Sequence, residues 1–219
     1  MAAAGLCLAF GAAQRPALAD VTSIASFAGG ESENWESFPN YLDGGFHTLN
    51  DPTSLMNGGA SISNSNLTIY EPVAADADLG LSGFAAASDG VRGVFINPTS
   101  AVTTLTLNAP IADFGAYWGA ETFGVSASVG LDFYDASGSL LGSDSFTYNH
   151  EATADGGLDW HGWHFSAGVG KIQINGSSIA LDGLQANAVP EPAAPALALS
   201  GGLLLFLLRR RQAKSVAQR

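Results

Sequence analysis

Two histidines three residues apart, His161 and His164, are the residues in this sequence whose types first suggest metal chemistry. On a helix this spacing would place both imidazoles on one face. Residues 160–165 have the composition of a β-strand, in which positions 161 and 164 point to opposite faces, so both would reach one ion only across a bulge. We therefore predict no metal centre here, with one histidine pointing outward and the other bonded to a neighbour.

Residue types used in hydrolysis are present, but they form no recognisable catalytic arrangement. The sequence has no G-x-S-x-G motif, and its single cysteine, Cys7, lies near the N-terminus. A glycosidase needs two suitably separated carboxyl groups. Candidates are Glu31, Glu33, Glu36, Glu71, Glu121 and Glu151. Most lie in turn-like stretches where solvated acids are expected, so we predict a protein that is not an enzyme, with a secreted hydrolase as the less favoured alternative.

Several side chains with oxygen atoms could bind a structural calcium ion. Calcium takes several oxygen ligands from carboxylates and loop carbonyls. Asp132, Asp135, Asp182 and the loop at residues 76–89 could supply them, but no D-x-D-x-D-G loop occurs. We therefore predict no cofactor and keep calcium as an alternative.

Aromatic side chains suggest a sugar-binding surface, since an apolar ring face suits the face of a pyranose. The candidates for stacking are Trp118, Trp160 and Trp163. In a sandwich with few charges, burial in the core is the competing interpretation.

The elements that would position these residues lie between two distinct ends. Residues 20–188 contain nineteen acidic and two basic residues, a formal charge of −17. Such a body should repel phosphate backbones, so no nucleic-acid partner is expected. Residues 1–19 have an apolar run and an A-x-A site at 17–19, which predicts an export signal peptide. No basic residue precedes that run, and a buried N-terminal helix is the alternative.

The C-terminal segment, residues 189–219, has three parts in order. Val189, Pro190, Glu191 and Pro192 should form an extended linker, because the prolines disfavour helix. Residues 193–208 carry no charge and predict a single transmembrane helix of roughly 24 Å, short for a bilayer. Arg209, Arg210 and Arg211 begin the basic tail, residues 209–219, and predict a stop-transfer signal on the cytoplasmic side. A terminal helix packed on the domain is the alternative.

The body between the two ends shows the alternation of β-strands. Residues 125, 127, 129, 131 and 133 are apolar and share one face, and D-A-S-G at 135–138 predicts a turn into a partner strand at 140–148. Further strands are predicted at 67–70, 91–97, 102–107, 114–118, 160–165, 171–174 and 179–185. We expect an irregular segment at 73–88 and turns with one or two short strands at 29–59. With some nine strands and no helical periodicity, the body is predicted to be an all-β, antiparallel β-sandwich.

The tail resembles a PEP-CTERM sorting signal, which combines a Val-Pro-Glu-Pro motif, an apolar span and an arginine-rich end. This resemblance implies recognition by an exosortase, a membrane protease of Gram-negative bacteria that produce exopolysaccharide. It implies a precursor anchored in the inner membrane, then delivery to the cell surface or extracellular matrix.

The body resembles, more loosely, the ectodomains of such proteins. The resemblance rests on FGAYWG at 114–119, LDFYDASG at 131–138, WHGWHF at 160–165 and LDGL at 181–184. It implies a jelly-roll sandwich of the galactose-binding kind. The sequence thus predicts a non-enzymatic surface or matrix protein with an exosortase and the membrane as partners. A carbohydrate-binding module that engages exopolysaccharide is the alternative.

Overall fold

The computed structural model describes residues 21–38, 47–63, 67–70, 88, 92–96, 102–120, 126–149 and 158–190. Within these ranges the chain forms twelve β-strands, one short 3₁₀ turn at Met56–Gly58 and no α-helix. The strands are β1 Val21–Ile24, β2 Glu31–Glu33, β3 His47–Thr48, β4 Thr53–Leu55, β5 Ala60–Ser63, β6 Leu67–Tyr70, β7 Gly93–Ile96, β8 Thr103–Ala120, β9 Ser126–Tyr134, β10 Leu140–Asn149, β11 Asp159–Asn175 and β12 Ile179–Ala188. The predicted leader and transmembrane helix lie outside the described residues, and within those residues no helix is both long and apolar enough to cross a membrane.

The strands pair throughout in antiparallel fashion and form one continuous sheet. Its main path runs β10-β9-β11-β8-β12-β7-β6-β3. Four short strands extend it at the sides: β1 pairs with β11, β2 with β12, β5 with β8, and β4 with β5.

Strands β8 and β11 are long enough to belong to two layers. The beginning of β8, which pairs with β5, and the end of β11, which pairs with β9, form one layer. The rest of β8, which pairs with β12, and the beginning of β11, which pairs with β1, form the other. Register shifts on both sides of Val169 mark the bend in β11. Such irregularities let a strand pass from one sheet to another.

Large side chains from the two layers meet in one core. Phe133 of β9 packs against Trp163 and Phe165 of β11, with ring centroids 5.5 and 4.9 Å apart. Trp118 of β8 lies edge-on to Trp163 at 6.3 Å. The predicted all-β antiparallel sandwich is therefore confirmed, while its assignment to the jelly-roll, galactose-binding kind stays a prediction.

Local sequence patterns located several elements correctly. In β9, Ala127, Val129, Leu131 and Phe133 are all buried, as the alternation predicts; residue 125 lies outside the described residues. The predicted turn forms, with Gly138 at φ +88°. The Asp135 carboxylate accepts hydrogen bonds from the Ser137 and Ser139 amides, both at 2.8 Å.

Two predicted strand boundaries are wrong. The strands predicted at 102–107 and 114–118 are one strand, β8, and those at 160–165 and 171–174 are one strand, β11. Pro110 and Gly168, which lie between the predicted strands, are residue types that favour turns. Bulges nevertheless accommodate each of them within a continuous strand. Strands β1 and β5 were not predicted, and three short strands, β2 to β4, occupy the stretch where one or two were expected.

Candidate functional site

Two of the three tryptophans predicted to stack on sugars are core residues instead. Trp118 and Trp163 are 0% and 1% exposed, so neither ring offers a face to solvent. Alternation along β11 directs residues 161, 163 and 165 toward the opposite layer and residues 160, 162 and 164 toward the outer face. The structure therefore corrects this part of the prediction and leaves Trp160 alone on the outside.

Trp160 lies on the outer face of the layer, above a pair of glycines. Gly162 and Gly115 are direct cross-strand partners in β11 and β8. A Cβ atom placed on Gly115 would lie 2.2 Å from the Trp160 ring, and one on Gly162 would lie 2.8 Å from it. The indole thus occupies the space of two missing side chains, an arrangement by which aromatic residues protect glycines in sheets. Its Nε1 donates to the Ile24 carbonyl at 3.2 Å.

Two further half-buried rings complete an outer aromatic cluster, which we define as Phe27, Tyr117 and Trp160. Their planes meet that of Trp160 at 88° and 71°, with centroids 5.6 and 5.2 Å away. Phe27 belongs to the segment that leads from β1, beside β11, to β2, beside β12. The Gly29 amide of this segment donates to the Gln185 side chain at 2.8 Å. The cluster is thus partly buried and is bordered by the segment that connects β1 to β2.

A polar row lies beside this cluster on the same face. Asp113 accepts from Asn187 at 3.0 Å and contacts His164 Nδ1 at 2.7 Å. The side-chain Oδ1 of Asn187 in turn accepts from the Gly30 amide at 3.0 Å. The His164 side chain is 50% exposed. Aromatic faces next to hydroxyl-binding side chains are the groups that recognise a pyranose.

The two histidines of the predicted strand lie on opposite faces, as expected. His164 is outside, whereas His161 points inward and stacks on Phe146 with centroids 4.0 Å apart. Desolvation lowers the pKa of His161, and the charges of Asp159 and Asp144 partly oppose this shift. Within the described ranges no cluster of three metal-ligating side chains occurs.

The three aspartates considered for calcium lie in separate environments. Asp182 is fully buried and accepts from the Ser88 amide at 2.7 Å and from the Gly183 amide at 2.6 Å. Asp132 bonds Ser143 at the surface. Asp135 caps its turn, and hydrogen bonds from the Ser137 hydroxyl and the Ser139 amide lower the pKa of its carboxyl. The aspartates of the 76–89 loop lie outside the described residues.

Of the three described glutamates, Glu31 is exposed on β2, whereas Glu33 and Glu36 accept hydrogen bonds from backbone amides. Glu33 is 8% exposed, and its two oxygens accept from the Trp35 and Met56 amides, both at 3.0 Å. Glu36 accepts from the Arg92 amide at 2.9 Å. Glu71, Glu121 and Glu151 lie outside the described residues. We call this pair of hydrogen bonds to Glu33 the clamp. The sequence did not predict it, because the two donor residues are 2 and 23 positions away from Glu33 and follow no sequence pattern.

Both basic side chains of residues 20–188 contact other parts of the domain. Arg92 is buried and donates to the backbone carbonyls of Glu36 and Phe38 at 3.0 and 2.8 Å. Lys171 lies over the Tyr134 ring, with Nζ 4.1 Å from its centroid.

A groove that the sequence did not reveal lies where the chain leaves the sandwich. We call it the exit groove; its volume is about 640 Å³. It is lined by Ala109, Pro110, Asp135, Ala136, Ser137, Ala167, Gly168, Ala188, Val189 and Pro190. The Val189 amide donates to the Pro110 carbonyl at 3.1 Å, directly after β12 ends. Glu191, Pro192 and the three arginines lie outside the described residues.

Comparisons with known proteins identify no family. No family model and no curated protein matches the chain. Three solved structures are distantly similar in shape. One is a DUF4465 family protein from Bacteroides caccae, 11% identical over 76% of this chain and 99% of its own, with a TM-score of 0.42.

The other two structures are much longer proteins. An arabinoxylan arabinofuranohydrolase of glycoside hydrolase family 43 from Bacillus subtilis, solved with cellotetraose, is 13% identical over 49% of this chain and 24% of its own, with a TM-score of 0.30. The enzymatically active domain of tailspike protein 4 from bacteriophage CBA120 is 14% identical over 66% of this chain and 19% of its own, also with a TM-score of 0.30. At these values the similarities identify no function for this chain.

Proposed function

We propose that this chain is a non-enzymatic, exported protein of the bacterial surface or extracellular matrix, delivered by an exosortase that recognises its C-terminal motif. In this proposal residues 1–19 are removed as a leader, residues 20–188 form the delivered jelly-roll sandwich, and residues 189–219 anchor the precursor in the inner membrane. No cofactor is required.

The observation that carries the proposal is where the last strand ends. Strand β12 stops at Ala188, and the motif begins with the exposed residues Val189 and Pro190. A processing protease needs an extended, accessible segment outside the folded domain, because a strand within a sheet has its backbone groups already paired. The position of Pro190, which fixes φ and lacks an amide donor, supports such a segment.

The placement of the described acids supports a role without catalysis. Glu33 and Asp182 are buried acceptors of backbone amides. Asp132 and Asp144 adjoin one depression, but Asp132 bonds Ser143 whereas Asp144 accepts from the core residue Trp163. A hydrolase would need two such groups to converge on one substrate atom.

The test is processing in a host that contains an exosortase. Glu191→Ala, or deletion of residues 209–211, should leave unprocessed protein in the membrane fraction. Pulse-chase labelling and immunoblotting measure the conversion of precursor to processed protein. Glu31→Ala, an exposed change of the same kind within the domain, is the control and should be processed normally. Normal processing and release of both tail variants would contradict the proposal.

Carbohydrate binding is a second candidate function, and the outer aromatic cluster favours it. The partly exposed rings of Tyr117 and Trp160 lie beside the polar row that includes His164 and Asp113. We expect the protein to be retarded in gels that contain the host's own polysaccharide, and Tyr117→Ala or His164→Ala to reduce the retardation. Migration of the wild-type protein that is unchanged by every polysaccharide would refute this function and leave the sorting proposal intact.

A further inference from the structure

The exit groove is distinguished by its position and by its mostly apolar lining. Its apolar lining comes from Ala109, Pro110, Ala136, Ala167, Gly168 and Val189. Among the described residues of its lining the one ionisable side chain is that of Asp135, whose carboxylate accepts hydrogen bonds from backbone amides of its own turn. In a body with a formal charge of −17 the described lining of this concave surface is thus mostly apolar and carries a single negative charge.

The start of the sorting motif forms one wall of this groove. Val189 is 39% exposed, yet its amide bonds the Pro110 carbonyl. Gly168 packs against both residues, since a Cβ there would lie 2.7 Å from Pro110 and 3.0 Å from Val189. The first residue of the motif is therefore bonded to the domain beside the groove, and the chain leaves the groove at Pro190.

We propose that the exit groove is a docking surface for the membrane protease that processes the tail, so that the enzyme reads part of the folded domain as well as the motif. The inference rests on the proposed sorting function. The occupant is a protein segment of the protease with uncharged, apolar side chains, matching the small apolar lining.

Chain length favours this occupant over the chain's own tail. The apolar span begins at residue 193, three residues beyond Pro190. Three extended residues reach about 10 Å, so in the anchored precursor the groove must lie close to the bilayer surface. The span itself is then held in lipid and is not free to fold back into the groove.

The shape of the surface favours a protein partner over lipid. Membrane-surface binding relies on protruding aromatic or apolar side chains together with lysine or arginine. Among the described residues that line the exit groove, none is aromatic and none is basic. A concave surface of small residues instead accepts the side chains of a partner.

The experiment places an arginine in the groove. Ala136 and Ala167 are exposed, so Ala136→Arg and Ala167→Arg should fold normally, which the thermal unfolding of each purified protein checks. Ser177→Arg is the matched control, because Ser177 is an exposed residue in the turn between β11 and β12, at the opposite end of the sandwich. Full-length chains are expressed with the exosortase, and conversion of precursor to processed form is followed by pulse-chase.

We expect both groove variants to be processed at least about tenfold more slowly, because the long arginine side chain would occupy the groove and docking would have to bury its charge. Ser177→Arg should change the rate by less than about twofold, as surface substitutions usually do. Rates of the groove variants within twofold of wild type, while Glu191→Ala blocks processing, would overturn the groove inference alone. Equal slowing by Ser177→Arg would overturn it as well.

A second readout does not depend on the rate. A photoreactive phenylalanine analogue at position 136 should crosslink to the exosortase in cells that carry Glu191, and the same analogue at position 177 should not. Equal crosslinking at both positions, or none at 136, would contradict docking at the groove. Normal processing of both Glu191→Ala and the deletion of residues 209–211 would instead refute the sorting function itself.

Discussion

Replacing Gly115 by alanine should destabilise the sandwich through a single contact. The new Cβ would lie 2.2 Å from Trp160 Cζ2 and 2.5 Å from its Cη2, distances that real Cβ atoms do not show. The indole cannot simply rotate away, because its Nε1 bonds the Ile24 carbonyl and Phe27 and Tyr117 border its edges. The ring or strand β8 must therefore shift.

The magnitude follows from two opposing effects. Overpacking of a constrained side chain costs about 1–3 kcal/mol. Alanine also restricts the unfolded chain, which returns about 0.4–1 kcal/mol when the backbone conformation suits it. The free energy of unfolding should fall by about 1–2 kcal/mol. For a domain of this size this corresponds to a decrease in Tm of roughly 2–8 °C.

Urea denaturation followed by circular dichroism measures the cost, and tryptophan emission reports displacement of the indole. Gly130→Ala is the matched control in β9, since its Cβ would lie 3.5 Å from Asn175 in ordinary contact. The decisive comparison is a double-mutant cycle. In a Trp160→Ala background the clash is gone, so Gly115→Ala should cost nothing or stabilise slightly. An equal cost in both backgrounds, or an equal cost for Gly130→Ala, would refute the reasoning.

Three further outcomes are expected. Because the pKa of His161 is lowered in the folded state, the native protein binds a proton at this imidazole less readily than the unfolded chain does. The contribution of neutral His161 to stability is therefore present above about pH 6.5 and is lost as pH falls through the folded pKa. His161→Gln should therefore flatten the Tm-against-pH curve between pH 7 and 5, and an unchanged slope would contradict this. Glu33→Ala should lower the free energy of unfolding by about 2–4 kcal/mol, because it leaves two amides without their acceptor, and Glu33→Gln should cost less; equal losses in urea denaturation would refute the clamp. Phe133→Ala should cost about 3–5 kcal/mol by the same assay, since the ring is fully buried between the layers, and a loss under 1 kcal/mol would show that it is not a core residue.

The sequence by itself determined the local features of this protein. The alternation at residues 127–133 and the D-A-S-G turn predicted β9 and its hairpin, because strand facing and turn geometry depend on neighbours only a few residues apart. The alternation also placed His161 and His164 on opposite faces. The proposed sorting signal is a linear segment, so its prediction likewise needs no tertiary contact.

Only the tertiary structure decided which side chains are accessible. A tryptophan on a strand can lie on either face of the sheet, and residues distant in the chain form the layer that covers one face. Trp118 and Trp163 lie on the covered face and are core residues, whereas Trp160 lies on the outer face. The Gly115–Gly162 pair beneath Trp160 depends on the register between β8 and β11, more than 40 residues apart in the chain. The exit groove likewise combines the bends of both strands, the Asp135 turn and the end of β12. Long-range pairing creates such surfaces, and no short sequence pattern encodes it.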